Sequence, residues 1–299
     1  MNNYSAFFLV GPTASGKSTI GHILADKKGC SLISADSMNV YRYMDIGTAK
    51  PLLNQRGKIN YYGVDVVDPT ESFHVAAWLD VVKPAWLEKS IPIVCGGTGL
   101  YLKCLTEGLD SFEKEDLNQR DLLNRKSLNN LQDYVNKHLP DEYKKLNLDD
   151  KKNSRRLIRL FERGENGIKW QSGHKVKLIG LKYERSELHN RITERVKKMY
   201  TNGLLEEAEM INTMNLSETA KHAIGYSEAF SVISGVCKID EAIERTIIRT
   251  RQLAKRQMTW FKNQMDVEWI HIDKETSTNC IVKKVEEAWD RIGCSEVQF

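Results

Sequence analysis

The octapeptide Gly11-Pro12-Thr13-Ala14-Ser15-Gly16-Lys17-Ser18 constrains this 299-residue chain more than any other stretch, because it matches G-x-x-x-x-G-K-[ST] in full. It stands between a short apolar run, "AFFLV", and an amphipathic segment, "STIGHILADKKG", so it reads as strand, loop and helix. A loop of this kind turns backbone N–H groups inward onto phosphate oxygens, and the helix N-terminus adds the positive end of its dipole. Lys17 is placed to reach a terminal phosphate, and the Ser18 hydroxyl to hold Mg2+. The motif does not name its ligand: ATP or another nucleotide, or a diphosphate-bearing donor, would satisfy it equally.

The segments that follow limit the fold. "SLISADS" reads as a second strand ending at Asp36, and "YYGVDVVDP" as a third, stopped by Pro69. "FHVAAWLDVVKPAWLEKS" reads as a helix kinked at Pro84, and "IPIVCGGTGLY" as a fourth strand running into two glycines. Strands alternating with helices imply an α/β fold whose parallel sheet presents ligands at the C-terminal ends of its strands. From about 110 to 150 the chain turns polar and Asn-, Lys- and Leu-rich without a strand-like run, which reads as a small helical insertion. Beyond it the pattern is helical, at 152–163, through "SELHNRITERVKKMYTNGLLEEAEMINTM", near 240–263 and in a closing "IVKKVEEAWDRI". One strand, "KVKLIGLKY" (175–183), interrupts these helices.

Composition excludes several classes. No apolar run approaches the length of a membrane span, and the N-terminus lacks the charged region of a signal peptide, so a cytoplasmic protein is expected. The six cysteines are scattered without a close pair, which suits reduced, mostly buried thiols better than zinc or disulfides. Net charge is only +4, yet "KKNSRRLIRLFER" (151–163) carries six basic residues against one acid, and "RTIIRTRQLAKRQMTWFK" (245–262) six against none. Stripes of this kind suit a polyanion, although a solvated helix face is the plainer reading of each.

The end of the fourth strand separates two uses of the phosphate loop. Hydrolases of nucleoside triphosphates place a carboxylate at the end of an apolar strand, but "IPIVCGG" ends in glycines. Group transfer therefore fits better than a motor, although Asp36, Asp65 and Asp68 end other strands. Asp36 leaves its strand beside the phosphate site, where a carboxylate can take a proton from an attacking group. An N-cap or an outer ligand of Mg2+ explains an aspartate there equally well.

The segments "GPTASGKS", "ISADSMNVYRYMDIGTAKP", "VDVVDP", "CGGTGLYLKCL", "RRLIRLFE", "LHNRITERVKKMYTNGLLEEA", "HAIGYSEAF" and "RQLAKRQMTWFK" occur in this order. Together they resemble the bacterial tRNA dimethylallyltransferase (tRNA isopentenyltransferase) family over residues 7 to about 263. The resemblance implies transfer of a dimethylallyl group from dimethylallyl diphosphate to the exocyclic amine of adenosine 37 in tRNA. It also implies a P-loop NTPase-like parallel sheet flanked by helices. On that reading the loop Gly11–Ser18 holds the donor's diphosphate, with Mg2+ on Ser18.

The resemblance further maps the general base onto Asp36 and a tRNA-contacting segment onto Asp36, Ser37, Met38 and Asn39. A diphosphate-binding arginine maps onto Arg195, which the residues alone would leave as a surface ion pair. Thr98, otherwise a turn residue, maps onto a threonine near the reactive base. The remaining tRNA contacts map onto Arg155, Arg156, Leu157, Ile158 and Arg159, and onto His222, Ala223, Ile224, Gly225, Tyr226 and Ser227. Charge alone adds Arg249, Arg251, Lys255 and Arg256 as candidate phosphate contacts. The chain departs from the family pattern in the blurred "DDKKNSRR", in His222, and in Ser227 after Gly-Tyr. The expected organisation is a catalytic core from 1–109 and 151–299 carrying C-terminal tRNA-binding helices, with an insertion at 110–150, acting as a monomer. Two other functions remain open: an adenine-nucleotide prenyltransferase or small-molecule kinase on the same loop, and an RNA-binding protein without catalysis.

Overall fold

The computed structural model describes residues 4–108, 117–163 and 176–298. The chain forms two units, one of Met1–Gly108 with His174–Phe299 and the other Leu109–Gly173.

In the first unit, β1 (Tyr4–Val10) runs into the phosphate loop and α1 (Lys17–Lys28), which Gly29 ends in a left-handed cap. β2 (Leu32–Ala35), β3 (Tyr61–Tyr62), α2 (Val75–Val82), β4 (Ile93–Gly96) and α3 (Gly99–Glu107) follow. The third strand is much shorter than expected. "VDVVDP" is a loop whose Val67 makes an isolated parallel bridge to Tyr41, and Asp65 within it has φ 55°. The helix expected to kink at Pro84 instead stops at Val82 and passes into a 3-10 turn, Lys83–Leu87, because proline lacks the N–H that a continuing α-helix needs.

The second unit is helical throughout its described part: α4 (Leu117–Asn124), α5 (Leu128–His138), α6 (Pro140–Lys145), α7 (Leu148–Lys151) and α8 (Ser154–Arg163). Residues 110–116 of the expected insertion lie outside the described residues. The insertion does not end at 150. Leu157 and Ile158 on α8 are buried with Leu123, Leu131 and Val135, so the apolar stripe of this basic helix closes the second unit's own core.

The chain then returns to the first unit with β5 (Lys177–Tyr183), α9 (Arg185–Thr201), α10 (Leu204–Asn212), α11 (Glu218–Lys221), α12 (Tyr226–Ile233) and α13 (Ile239–Gln264). β6 (Asp266–Ile272), α14 (Thr278–Ile292) and β7 (Ser295–Val297) complete it. The sheet order is β3-β2-β4-β1-β5-β6, parallel throughout, with β7 antiparallel to the first half of β1. β1 is thus central, and β2 and β4 end beside the loop that β1 feeds. Neither β6 nor β7 was expected from the sequence. β6 ("DVEWIHI") alternates in polarity with one slip at Trp269–Ile270, directly after the long helix α13, and its register is supplied by seven consecutive pairings with β5.

α13 carries a stripe of Ala242, Thr246, Thr250 and Ala254 at four-residue spacing, then Phe261, all buried. Small residues let this 26-residue helix, about 39 Å long at 1.5 Å per residue, pack closely along α9 and α12. Its buried hydroxyls are satisfied locally: Thr246 donates to Ala242 O at 2.8 Å and Thr250 to Thr246 O at 2.7 Å. Among the described residues no helix is long and apolar enough to cross a membrane.

Candidate active site

The phosphate loop has the backbone its glycines require. Gly16, at φ 81°, caps α1 in the left-handed region, and Ala14 follows suit at φ 64°. A Cβ at Gly11 would meet Leu181 O and Ser15 Oγ at 2.9 Å, so only glycine lets β1 turn here. The Arg191 guanidinium on α9, stacked 4.5 Å over Tyr183, donates from Nε to Ala14 O at 2.9 Å. That bond satisfies the strained residue's carbonyl from outside. Gln257 Oε1 accepts the Thr13 N–H at 2.8 Å from the other side. Ser15 Oγ is buried beside Gly11 without a hydrogen-bond partner among the described residues.

Lys17 is buried, and its ammonium donates to Pro12 O at 3.2 Å. Burial pushes it below its ordinary pKa; the nearby Cys95 and the Asp36 carboxylate work against that shift, and Arg195 reinforces it. Arg195, half-buried on α9, is likewise lowered by burial and raised by Asp36. Its Nη2 donates to Thr48 O at 3.1 Å. Two cations and one carboxylate thus share a site where each feels the others. The buried Cys95 thiol beside them is pushed up to about 12, chiefly by burial, so it is neutral at ordinary pH and no nucleophile.

Asp36 follows the last residue of β2. Its Oδ1 accepts the Met38 N–H at 2.9 Å, a local turn bond that leaves its other oxygen out of that contact. The Ser37 N–H donates to Thr98 Oγ1 at 3.1 Å, and the Thr98 N–H to Ala35 O at 3.0 Å. The ends of β2 and β4 are therefore laced together at the residues expected to carry chemistry. Behind them, the loop 45–48 is gripped by Glu207 on α10. Its carboxylate accepts N–H groups from Asp45 at 2.9 Å, Ile46 at 2.9 Å and Gly47 at 3.2 Å, and the Tyr226 hydroxyl at 2.5 Å. Lys50, buried in the same loop, donates to Tyr41 O at 2.8 Å and pairs with Asp45 at 2.6 Å and Asp65 at 2.5 Å.

A family model described as IPP transferase matches residues 39–264. The chain belongs to that family. Its relatives include the tRNA dimethylallyltransferase of Thermodesulfovibrio yellowstonii, 35% identical over 95% of this chain and 97% of that protein. The tRNA dimethylallyltransferase of Lactococcus lactis is 36% identical over 95% and 98%. Among solved structures, the full-length tRNA isopentenylpyrophosphate transferase of Bacillus halodurans superposes with a TM-score of 0.66 at 32% identity, over 96% of this chain and 98% of the other. A eukaryotic dimethylallyltransferase acting on tRNA, 24% identical, shares the fold at a TM-score of 0.70 over 96% and 76%. The alternating strands and helices were thus read correctly as the P-loop NTPase-like sheet of the IPP transferases.

The first unit brings together Gly11–Ser18, Asp36, Ser37, Met38, Thr98 and Arg195 around the C-terminal ends of β1, β2 and β4. Several other residues expected to meet tRNA are buried or bonded within the protein. The Asn39 side chain is buried and donates to Ser34 Oγ at 3.1 Å. Ala223, Gly225 and Tyr226 are buried; Tyr226 packs against Gly47, where an added Cβ would come within 2.4 Å of its ring. Leu157 and Ile158 are core residues of the second unit, whereas Arg155 and Arg156 are exposed and Arg159 lies 3.5 Å from Glu162. His222 is exposed, 3.5 Å from Glu218, and Ile224 is half-buried.

The charge-based reading of α13 divides in two. Arg249 turns inward to Glu228, Ser227 Oγ and His222 O, and Arg251 donates to Thr193 Oγ1 at 3.0 Å, so both brace the fold. Lys255 and Arg256 remain exposed and line a cavity of about 450 Å3 with Gln252, Thr259 and Trp260. Sequence reasoning did not single out Glu207, Arg191 or Gln257. All three sat in quoted segments, Arg191 and Glu207 in "LHNRITERVKKMYTNGLLEEA" and Gln257 in "RQLAKRQMTWFK", and for Gln257 its place between Ala254 and Phe261 on α13 was the available signal.

Proposed function

We propose that this protein transfers the dimethylallyl group of dimethylallyl diphosphate to the exocyclic amine of adenosine 37 in tRNA, giving N6-(dimethylallyl)adenosine. The observation that carries this reading is the grouping of Asp36, Lys17 and Arg195 at the mouth of a phosphate loop in an IPP transferase. The adenine nitrogen attacks C1 of the dimethylallyl group, the C1–O bond breaks, diphosphate departs, and the amine proton passes to Asp36. Charge developing on the leaving oxygen is met by the loop N–H groups, Lys17 and Arg195. Thr98, tied to the Ser37 N–H, holds the acceptor side in line with Asp36.

Mg2+ suits the donor set. The Ser18 hydroxyl is exposed at the first turn of α1, and a lone hydroxyl beside substrate phosphates is the sparse protein coordination that this ion takes. When bound there it neutralises charge on the diphosphate. The acceptor must leave the anticodon-loop stack, which costs a few kcal/mol and least in an unpaired strand. The exposed Arg155, Lys255 and Arg256 supply cations for its phosphates, and Arg156, exposed but ion-paired with Asp150, would have to exchange that partner to join them. The protein is proposed to work as a cytoplasmic monomer.

The test is transfer from labelled dimethylallyl diphosphate, with Mg2+, to unmodified tRNA carrying adenosines at 36 to 38, with AMP and ATP in parallel. Label recovered as dimethylallyladenosine from tRNA supports the proposal. Label in AMP or ATP would make this a nucleotide prenyltransferase, and binding of tRNA without transfer would make it an RNA-binding protein on the same fold.

A further inference from the structure

Position 257, half-buried on α13, lies three residues after the buried Ala254 and four before the buried Phe261, where an apolar side chain would be expected. Glutamine stands there instead, and both ends of its carboxamide are used. Oε1 accepts the Thr13 N–H at 2.8 Å, and Nε2 donates to Gly97 O at 3.1 Å. The partners lie 244 and 160 residues away in sequence, one in the phosphate loop and one in the turn between β4 and Thr98. The approach is close: a Cβ on Gly97 would lie 2.5 Å from Nε2. One face of α13 thus clamps both loops, while its exposed face carries Lys255 and Arg256.

We propose that Gln257 is a positioning residue that holds the donor's phosphate loop in register with the acceptor side of the site, an inference that rests on the transfer reading above. Gln257 touches neither reacting group. By taking the Thr13 N–H, it assigns that donor to the protein and leaves the deeper loop amides for diphosphate. By taking Gly97 O, it fixes the turn from which Thr98 reaches back to Ala35 and Ser37, on either side of Asp36. Only a side chain with one acceptor and one donor at fixed spacing serves both ends. A carboxylate would keep the Thr13 bond but set a second acceptor, and a negative charge, against Gly97 O.

The test compares Gln257→Met and Gln257→Glu with the parent protein. Gln257→Met removes both bonds at similar size and should raise the KM for dimethylallyl diphosphate about tenfold while leaving the KM for tRNA within about twofold. Calorimetry with inorganic diphosphate should show the same loss without turnover. Gln257→Glu supplies the sharper readout, because a protonated carboxyl restores one donor and one acceptor. Its activity relative to the parent should climb as pH falls from about 8 to about 5.5, whereas the relative activity of Gln257→Met should stay flat. Equal loss for both substrates, or a flat pH ratio for Gln257→Glu, would overturn the proposal. Failure of the parent protein to prenylate tRNA would instead overturn the transfer reading, and the diphosphate titration would still report on Gln257.

Discussion

Glu207→Ala is expected to loosen the loop 45–48 more than any other single change outside the phosphate site. The wild-type carboxylate receives three backbone N–H groups and the Tyr226 hydroxyl. A hydrogen bond to a charged acceptor contributes about 1.5–3 kcal/mol, but four such values do not simply add, since water can reach the half-buried loop amides after truncation. Tyr226 is fully buried and its hydroxyl, which also accepts from the Gly47 backbone, loses the acceptor for its own hydrogen, which costs about 1–3 kcal/mol. A total near 3–5 kcal/mol follows, which in a domain of this size lowers Tm by roughly 6–20 °C. Tyr226→Phe, which leaves the three amide bonds intact, should cost only about 1–2 kcal/mol. Thermal melts of the two variants and their combination provide the assay. A Glu207→Ala protein melting within roughly 1 °C of wild type, or a Tyr226→Phe protein equally damaged, would refute the argument. Because Thr48 in this loop also accepts from Arg195, the Glu207→Ala protein should bind dimethylallyl diphosphate more weakly as well.

Three further outcomes are expected. Asp36→Asn should keep tRNA binding, measured by filter retention, while transfer falls by about 10²–10⁴-fold; undiminished transfer would remove Asp36 as the base. Lys17→Ala should weaken donor binding in a diphosphate titration, and unchanged affinity would count against the loop as the diphosphate site. Asp65 carries a pH signature: burial would raise its pKa, but hydrogen bonds from Lys50 and Arg56 hold it below its ordinary value. Its contribution to stability is therefore complete above the ordinary carboxylate pKa of about 4, and is lost as pH falls through the lower folded value. Tm plotted against pH should fall less steeply below about pH 4 for Asp65→Asn than for wild type, and parallel curves would refute the pairing.

What could be read from the sequence was local chemistry with a fixed spacing. The loop Gly11–Ser18, the strand end at Asp36 and the glycines after β4 each declare themselves over a few residues. What could not be read was whatever depends on distant pairing. β6 exists because β5 offers it seven partners, and "VDVVDP" fails as a strand because Asp45, Lys50, Arg56 and Asp65 pull it into an ion-paired loop. Basic residues misled in the same way. Arg249 and Arg251 look like phosphate contacts in a stripe, yet Glu228 and Thr193, supplied by other helices, claim them. The apolar spacing within "RRLIRLFER" was the readable hint that Leu157 and Ile158 face a core rather than a ligand.

The glycines that end β4 explain why this loop serves transfer rather than hydrolysis. β4 is the neighbour of β1 in the sheet, and its C-terminal end faces the phosphate loop, where a water-activating carboxylate would have to stand. A Cβ at Gly96 would lie 2.2 Å from Ala35 O, so no side chain fits there while β2 and β4 remain paired. At Gly97 a Cβ would meet Gln257 at 2.5 Å and Gly11 O at 3.0 Å. Thr98 is then the first position able to carry a functional group, and its hydroxyl is already committed to the Ser37 N–H. Among the described residues the carboxylate that acts on Lys17 in the loop is Asp36, which follows the strand beyond β4. A base one strand removed from the phosphates suits an acceptor that approaches from outside the loop, and it stands badly for polarising a water at the terminal phosphate. The close packing of β4 thus leaves no room for a carboxylate at positions 96 and 97, and transfer is the chemistry this geometry favours.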